Sequence, residues 1–455
     1  MRKLSIIILL LGTVTTVPTV YAQKVYTLSE CRKLALENNV KIKDAELGIN
    51  QAVEQEKEAY SKYFPTVSAA GAYFKSNDYL IHKDLSLSAE DQKDLAQIIT
   101  QMGLNPSILS SLPTSYDVNL LNHGLLFGVL AMEPIYAGGQ ISNSNKLAKL
   151  QTEIRKLQMQ QSHDDILNTT EVYYNQLLTL YEKEQTLNAV DKLLERIHQD
   201  ADNAYKAGVK NKNDVLTVEL KQNSIATDRL KLDNGIKVCK LVLAQYIGKN
   251  GENIKIDTTL INDIKDPSYY LTDHDVALNG RVEAQLLNKN VEANELQTKI
   301  KKGSLLPTVS VGALGGFNDL SGSGRANIIG LATVSIPISG WWSDIHAVKH
   351  QQIAEQIARE DRENSRQMLI IQMQSAYNDL ENAYKQIDLA KKSMEKSTEN
   401  LRLNEDYYHA GTSTMSDLLD AQSNYQQSRN QYTDAVVQYL NCRTAYLLDT
   451  NRQVQ

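Results

Sequence analysis

The sequence predicts a mainly α chain with some β structure, built as two copies of one plan. Three observations carry this reading. Pro is scarce, 8 in 455 residues, with none between Pro134 and Pro267 and none after Pro337. Nothing therefore prevents very long helices there. Beyond Pro134 the chain repeats itself at a fixed shift, and the segments after Pro65 and Pro307 switch to the two-residue alternation of half-polar strands.

Composition narrows the class. The hydrophobic fraction is 42%, a little under the usual 45–50% or so. Length alone suggests two to three domains at about 150 residues each. The net charge of -6, from 48 Lys+Arg against 54 Asp+Glu, argues against a nucleic-acid partner. No apolar run of about 18 residues follows the N-terminus, which excludes a bundle of membrane-spanning helices. Tyr is over-used, with 23 Tyr against 4 Phe.

The N-terminus reads as a secretory signal. Arg2 and Lys3 precede an apolar run, and Val20-Tyr21-Ala22 forms a small-residue cleavage pattern, so residues 1–22 are expected to be removed. The apolar run is too short for an anchor, and with Gln23 rather than Cys directly after the cut no lipid attachment is expected. Loss of Arg2 and Lys3 takes the formal charge from -6 to -8. Cys31, Cys239 and Cys442 are odd in number and widely spaced, which excludes a disulfide scaffold or a zinc site of clustered cysteines. They read as small apolar residues on helix faces.

The repeat organises the rest. Tyr63-Phe64-Pro65-Thr66-Val67-Ser68 echoes Leu305-Leu306-Pro307-Thr308-Val309-Ser310. A shift of 203 positions maps Pro134 onto Pro337, Tyr205-Lys206-Ala207-Gly208 onto Tyr408-His409-Ala410-Gly411, Asp214 onto Asp417, Leu216 onto Leu419 and Cys239 onto Cys442. The first repeat is 23–247, the second 273–455, and 248–272 is a polar linker. Only the Pro65–Pro134 segment is longer than its counterpart, by a loop at 75–122.

Each repeat reads in the same order. In the first, Thr27 and Glu30 form a capping box that opens a helix running to about Lys62, and Pro65 ends it. A strand follows, with Val67, Ala69, Gly71 and Tyr73 opposite Thr66, Ser68 and Ala70. A second strand over 126–135 returns. Within the loop, Ser88 and Asp91 cap a short helix that ends near Gly103. In the second repeat a helix over about 273–302 leads to strands at 308–317 and 328–338, joined by the turn Ser321-Gly322-Ser323-Gly324. That glycine pair lacks the Lys/Ser of a phosphate loop, so it reads as a hairpin turn. Long helices follow, over about 140–206 and 343–409. About 67 residues at about 1.5 Å each give roughly 100 Å. Leu147, Leu150, Ile154, Leu157 and later Leu187, Val190, Leu194, Ile197, Ala201 and Ala204 mark coiled-coil seams. Each long helix turns at Gly208 or Gly411 and a shorter helix returns. On the last, Tyr425, Tyr432, Tyr439 and Tyr446 recur at heptad spacing, a packing seam rather than a ligand-stacking site.

Four strands of about 10 residues are too few to close a barrel, so several chains must contribute to one. At this point the chain resembles the TolC-type outer membrane factors, the exit ducts of tripartite efflux pumps and type I secretion systems. The resemblance covers nearly all of the mature chain. It rests on the duplicated helix–hairpin–helix plan, the prolines at the helix–strand junctions, and the two helical turns. The second turn, residues 408–421, is the most specific, being similar to the family's Gly-Thr followed by Asp-Val/Leu-Leu-Asp-Ala. Ala277-Leu278, Arg281 and Glu283 resemble the family's Ala-Leu…Arg-Pro-Glu, with Val282 in place of Pro.

The resemblance implies a homotrimer whose four strands per chain make a twelve-stranded outer-membrane β-barrel, continued into the periplasm by an α-barrel that closes to a gate. It implies that Tyr408 ties to Asp214 and that Asp417 and Asp420 line the narrowest opening. An Arg two residues after the second Gly in the best-known member is here Ser413. The turns Ala207-Gly208-Val209 and Ala410-Gly411-Thr412 match the tips that meet the periplasmic adaptor, which links the duct to an inner-membrane pump. Asp417 also fits a helix N-cap.

No enzymatic activity, cofactor or metal is expected. His346 and His350 have the zincin spacing, but Ala347 stands where the Glu base would be. The rival reading is a periplasmic coiled-coil adaptor or structural protein, which would not duplicate the strand pairs. Nothing in the sequence selects the cargo or the pump class.

Overall fold

The computed structural model describes residues 24–111, 113, 115–250, 253–259, 264–320 and 322–452. The predicted signal peptide lies outside them. The chain divides into two compact units, each drawing on both repeats.

One unit comprises residues 51–152 and 290–359 and is centred on a sheet. Strands β2 (Thr66–Lys75), β5 (His123–Ala137), β7 (Thr308–Leu320) and β8 (Gly324–Ser335) form one antiparallel sheet in the order β2-β5-β7-β8. The two hairpins therefore join through β5 and β7, with Phe127 opposite Phe317 and Gly128 opposite Gly316. β2 and β8 are left as the edges. The strands are longer than expected at β5 and β7, while the last strand stops before Ile336. Pro134 lies within β5, where a bulge between Pro134 and Tyr136 absorbs the missing N–H. At the helix–strand junctions Gly138, at φ +60°, packs on Gly303. A Cβ on Gly138 would stand 2.3 Å from the Gly303 carbonyl oxygen, and one on Gly303 2.6 Å from that of Gly138.

The 75–122 loop contains the expected helix, α3 (Ala89–Gln101), with Ser88 and Asp91 in a reciprocal capping box and Gly103 at φ +73°. It also contains an unforeseen ribbon, β3 (Ile81–Ser86) paired antiparallel with β4 (Ser115–Leu120).

The other unit holds most of the helical mass, its described residues falling within 24–50, 153–289 and 360–452. The helices α4 (Gln140–Lys206) and α8 (Gly340–His409) run unbroken for 67 and 70 residues, as predicted. α5 (Lys212–Tyr246) and α9 (Met415–Asp449) are each 35 residues long and begin and end at the 203-residue shift.

The helix opening each repeat is a correction. It is two helices in both cases: α1 (Leu28–Asn38) and α2 (Val40–Ser61), then α6 (His274–Gly280) and α7 (Val282–Gly303). Asn39 and Arg281 are extended at the break, ψ 136° in each. Asn39 Oδ1 accepts from Lys41 N at 3.0 Å and its amide donates to Tyr246 O at 3.4 Å. Arg281, buried, pairs with Glu283 at 3.1 Å and Asp449 at 3.3 Å. These distant partners, rather than a proline, interrupt the helices.

The described residues of the linker are tied down more firmly than a polar linker suggests. Lys255–Ile256 (β6) pairs in parallel with Val25–Tyr26 (β1). The tyrosine seam does the rest. Tyr439 and Tyr446 are fully buried, Tyr425 and Tyr432 half-buried. The Tyr439 hydroxyl bonds Lys265 backbone, and the Tyr446 hydroxyl accepts from Thr272 N at 3.3 Å. Buried Tyr needs such partners. Cys31 is buried and Cys239 and Cys442 half-buried, all free, and burial raises each thiol.

Charge is also buried here. The Glu171 carboxylate on α4, 1% exposed, meets Arg32 of α1 and lies 3.8 Å from Arg443 of α9. Next to it Asn175 donates to Asn441 at 2.7 Å. A buried, paired carboxylate contributes little net stability but is costly to orphan, so this cluster fixes which helices pack.

Candidate functional site: the paired helical turns

The two turns are copies in geometry as well as sequence. At the end of α4, Val209 N donates to Ala204 O and Gly208 N to Tyr205 O. At the end of α8, Thr412 N donates to Tyr407 O and Gly411 N to Tyr408 O. Both are Schellman closures, which require a left-handed residue. Gly208 (φ +74°) and Gly411 (φ +75°) supply it, and no atom lies within 4 Å of where either Cβ would be. Ala207, Gly208 and Val209, and Ala410 and Gly411, are exposed, Val209 at 74%. Thr412 is exposed too, its hydroxyl donating to Tyr407 O at 3.1 Å.

The return helices are capped. Asn211 Oδ1 accepts from Asp214 N at 3.2 Å to start α5. α9 begins with a full capping box: Thr414 Oγ1 accepts from Asp417 N at 3.2 Å, and Asp417 Oδ2 accepts from Thr414 N at 3.0 Å and Thr414 Oγ1 at 2.6 Å. Ser413 Oγ adds a donor at 3.3 Å. These hydrogen bonds from Thr414 hold the Asp417 carboxyl below the usual carboxylate range. Asp417 and Asp420 are both exposed and three residues apart, on one helix face. Asp420 makes no part of the cap.

Beneath the turns, α4, α5, α8 and α9 share one apolar cluster. Leu194, Ile197, Ala201, Val215, Val218, Leu401, Met415, Leu418 and Tyr408 belong to it. This is the packing that the 3–4 spacings on α4 anticipated.

Tyr408 is placed differently from expectation. Its hydroxyl is buried and makes no hydrogen bond, so the expected bond to Asp214 is absent in this chain. Burial, with Asp214 and Asp200 adding their charge, pushes its pKa up to about 12. Its ring instead receives the Lys210 ammonium, 4.8 Å from the centroid. Sequence reasoning passed over Lys210. The signal was available: the 203-residue shift maps Ser413 back onto Lys210, so the cation missing from the second turn stands in the first.

The sheet, the turns and the repeat can now be set beside known proteins. The family profile for outer membrane efflux protein matches residues 31–249 and 276–445. The chain belongs to the outer membrane efflux protein family. No curated protein matches its sequence. Among solved structures, the outer-membrane channel OprN superposes with a TM-score of 0.74 at 15% identity, covering 94% of this chain and 90% of its own. The Campylobacter jejuni CmeC channel gives 0.69 at 16%, covering 93% and 85%. The open-state Neisseria gonorrhoeae MtrE channel gives 0.67 at 16%, covering 93% and 88%.

These likenesses establish the TolC-type fold, and the family establishes the role. This outer membrane efflux protein is an exit duct of the outer membrane that extends into the periplasm. Among the described residues no helix is long and apolar enough to cross a membrane.

Proposed function

We propose that three copies of this chain close one twelve-stranded barrel and form a passive duct, gated at its periplasmic end and docked there to an adaptor and an inner-membrane pump. The observation that carries the reading is the sheet order. β2 and β8 end the four-strand sheet with their outer edges unpaired among the described residues, and in a membrane such edges must be satisfied by a neighbour. Threefold symmetry is the closure that four strands per chain support.

In this reading the exposed turns 207–209 and 410–412 are the docking tips. Asp417 and Asp420 line the constriction, with Tyr408 and Asp214 behind them at the helix contacts that hold it closed. The duct performs no chemistry; the pump supplies energy.

The test is assembly. Val67→Cys on β2 and Val334→Cys on β8, combined in one chain, should cross-link neighbouring chains into trimers in outer membranes. Native mass in mild detergent should be three times the chain mass. A helical monomer in both measurements would overturn the proposal.

A further inference from the structure

The 75–122 insertion has no core of its own. None of its described side chains is buried: α3 buries none, and β3 is exposed along its whole length. An isolated two-stranded ribbon is marginal in water, and small coreless units are commonly held by a staple such as a metal ion.

The ribbon also carries an electrostatic conflict. Asp84 and Asp117 are direct cross-strand partners, and like charges placed opposite each other weaken a ribbon. His82 lies two residues before Asp84, on the same face. Its Nε2 stands 3.5 Å from Asp84 Oδ1. One ligand atom from each of His82, Asp84 and Asp117 lies within 4.8 Å of the others. An ion with bonds of about 2.0–2.2 Å holds its ligand atoms roughly 3–4 Å apart, a spacing these exposed side chains reach by closing slightly around it.

The geometry points to a divalent metal site formed by His82, Asp84 and Asp117, which staples β3 to β4. A cation converts the opposed carboxylates from a repulsive pair into ligands. One imidazole nitrogen with two carboxylate oxygens suits Zn²⁺ or Mn²⁺, with water completing the shell. Ca²⁺ and Mg²⁺ favour oxygen alone. A search for ligands close in sequence misses this set, because pairing of β3 with β4 is what brings Asp117 to His82. The insertion joins the ends of β2 and β5 that lie away from the helices, so the ion would be met on the outer face of the membrane.

The test uses the untagged, mature protein in detergent, stripped with chelator and titrated with ZnCl₂ by calorimetry. About one ion per chain should bind, and Zn²⁺ should slow proteolysis within 75–122. His82→Ala and Asp117→Asn should each weaken binding by about tenfold or more. The His346→Ala, His350→Ala double variant should bind as the wild type does. Undiminished binding in His82→Ala, loss of binding in the double variant, or equal competition by Ca²⁺ would each overturn the site. So would the absence of any saturable binding. Native mass of each variant confirms that assembly is intact, since these exposed side chains support no core.

Discussion

The Lys210 ammonium stands 4.8 Å from the centre of the Tyr408 ring, joining the turn of the first repeat to the last helical turn before the second. The contact lies inside one chain and over a phenol whose hydroxyl has no partner. Above the apolar cluster beneath the turns, what joins them is thus ring packing and charge, worth about 0.5–2 kcal/mol, rather than the hydroxyl-to-carboxylate bond the family resemblance implies.

If this contact helps to keep the duct closed, Lys210→Met should raise single-channel conductance in planar bilayers, and Lys210→Arg should restore it. Tyr408→Phe keeps the ring and deletes an unsatisfied hydroxyl, so it should leave conductance unchanged and cost no stability. Tyr408→Leu should behave like Lys210→Met. A conductance rise in Tyr408→Phe alone would show that the hydroxyl, not the ring, does the holding.

The two carboxylates near the second turn are separable by experiment. Asp417 is part of the α9 cap and Asp420 is not. Multivalent cations on the periplasmic side should block current through the wild type. Asp420→Asn should weaken the block without affecting stability. Thr414→Ala breaks the cap at a cost of about 1 kcal/mol but keeps both charges, so its block should be intact. Equal block in an Asp417→Asn, Asp420→Asn double variant would remove both from the constriction.

Gly208 and Gly411 should tolerate Asn and resist Val. Space is open at both positions, so the penalty comes from the left-handed backbone alone, about 1–2 kcal/mol for a residue with Cβ and least for Asn. Export should fall in the Val variants and survive in the Asn variants, while barrel insertion continues in all. Normal adaptor cross-linking in the Val variants would argue that the turns do not dock.

Asp164 provides a pH test in the helical unit. Burial first, and the nearby Glu283 second, raise its pKa. The folded chain therefore binds this proton more readily than the unfolded one. Stability falls as pH rises from the ordinary carboxylate range through the raised value, and the cost is fully present above it. Asp164→Asn should raise Tm at neutral pH and make no difference at acid pH, by thermal scans across the range.

Much of the fold was legible because its signals are local. Pro65, Pro307 and Pro337 punctuate helix and strand, and beyond Pro134 the 203-residue shift checks each boundary against a second copy. The helix breaks were not legible. Asn39 and Arg281 are extended because of Tyr246 and Asp449, each about 170–210 positions away, and neither break carries a proline. The ribbon β3–β4 escaped notice because all six residues of β3 are exposed, so hydrophobic alternation has nothing to mark. At the site, every residue singled out from the sequence lies at or beside the turns. The Lys210 contact to the Tyr408 ring was missed; its one signal was the 203-residue shift that sets Lys210 opposite Ser413.

The bare outer edges of β2 and β8 bear on how the protein is made. Before it meets its neighbours, each exported chain presents two rows of unanswered backbone donors and acceptors, flanked by exposed Val67, Tyr73, Ile328 and Val334. Such a chain is adhesive toward any strand, including the wrong one. Biogenesis is then a race between correct pairing and misassociation, decided by how quickly chains accumulate at the insertion site. Variants with slow strand pairing should be recognised by vanishing protein and an induced envelope stress response, not by a leaky channel.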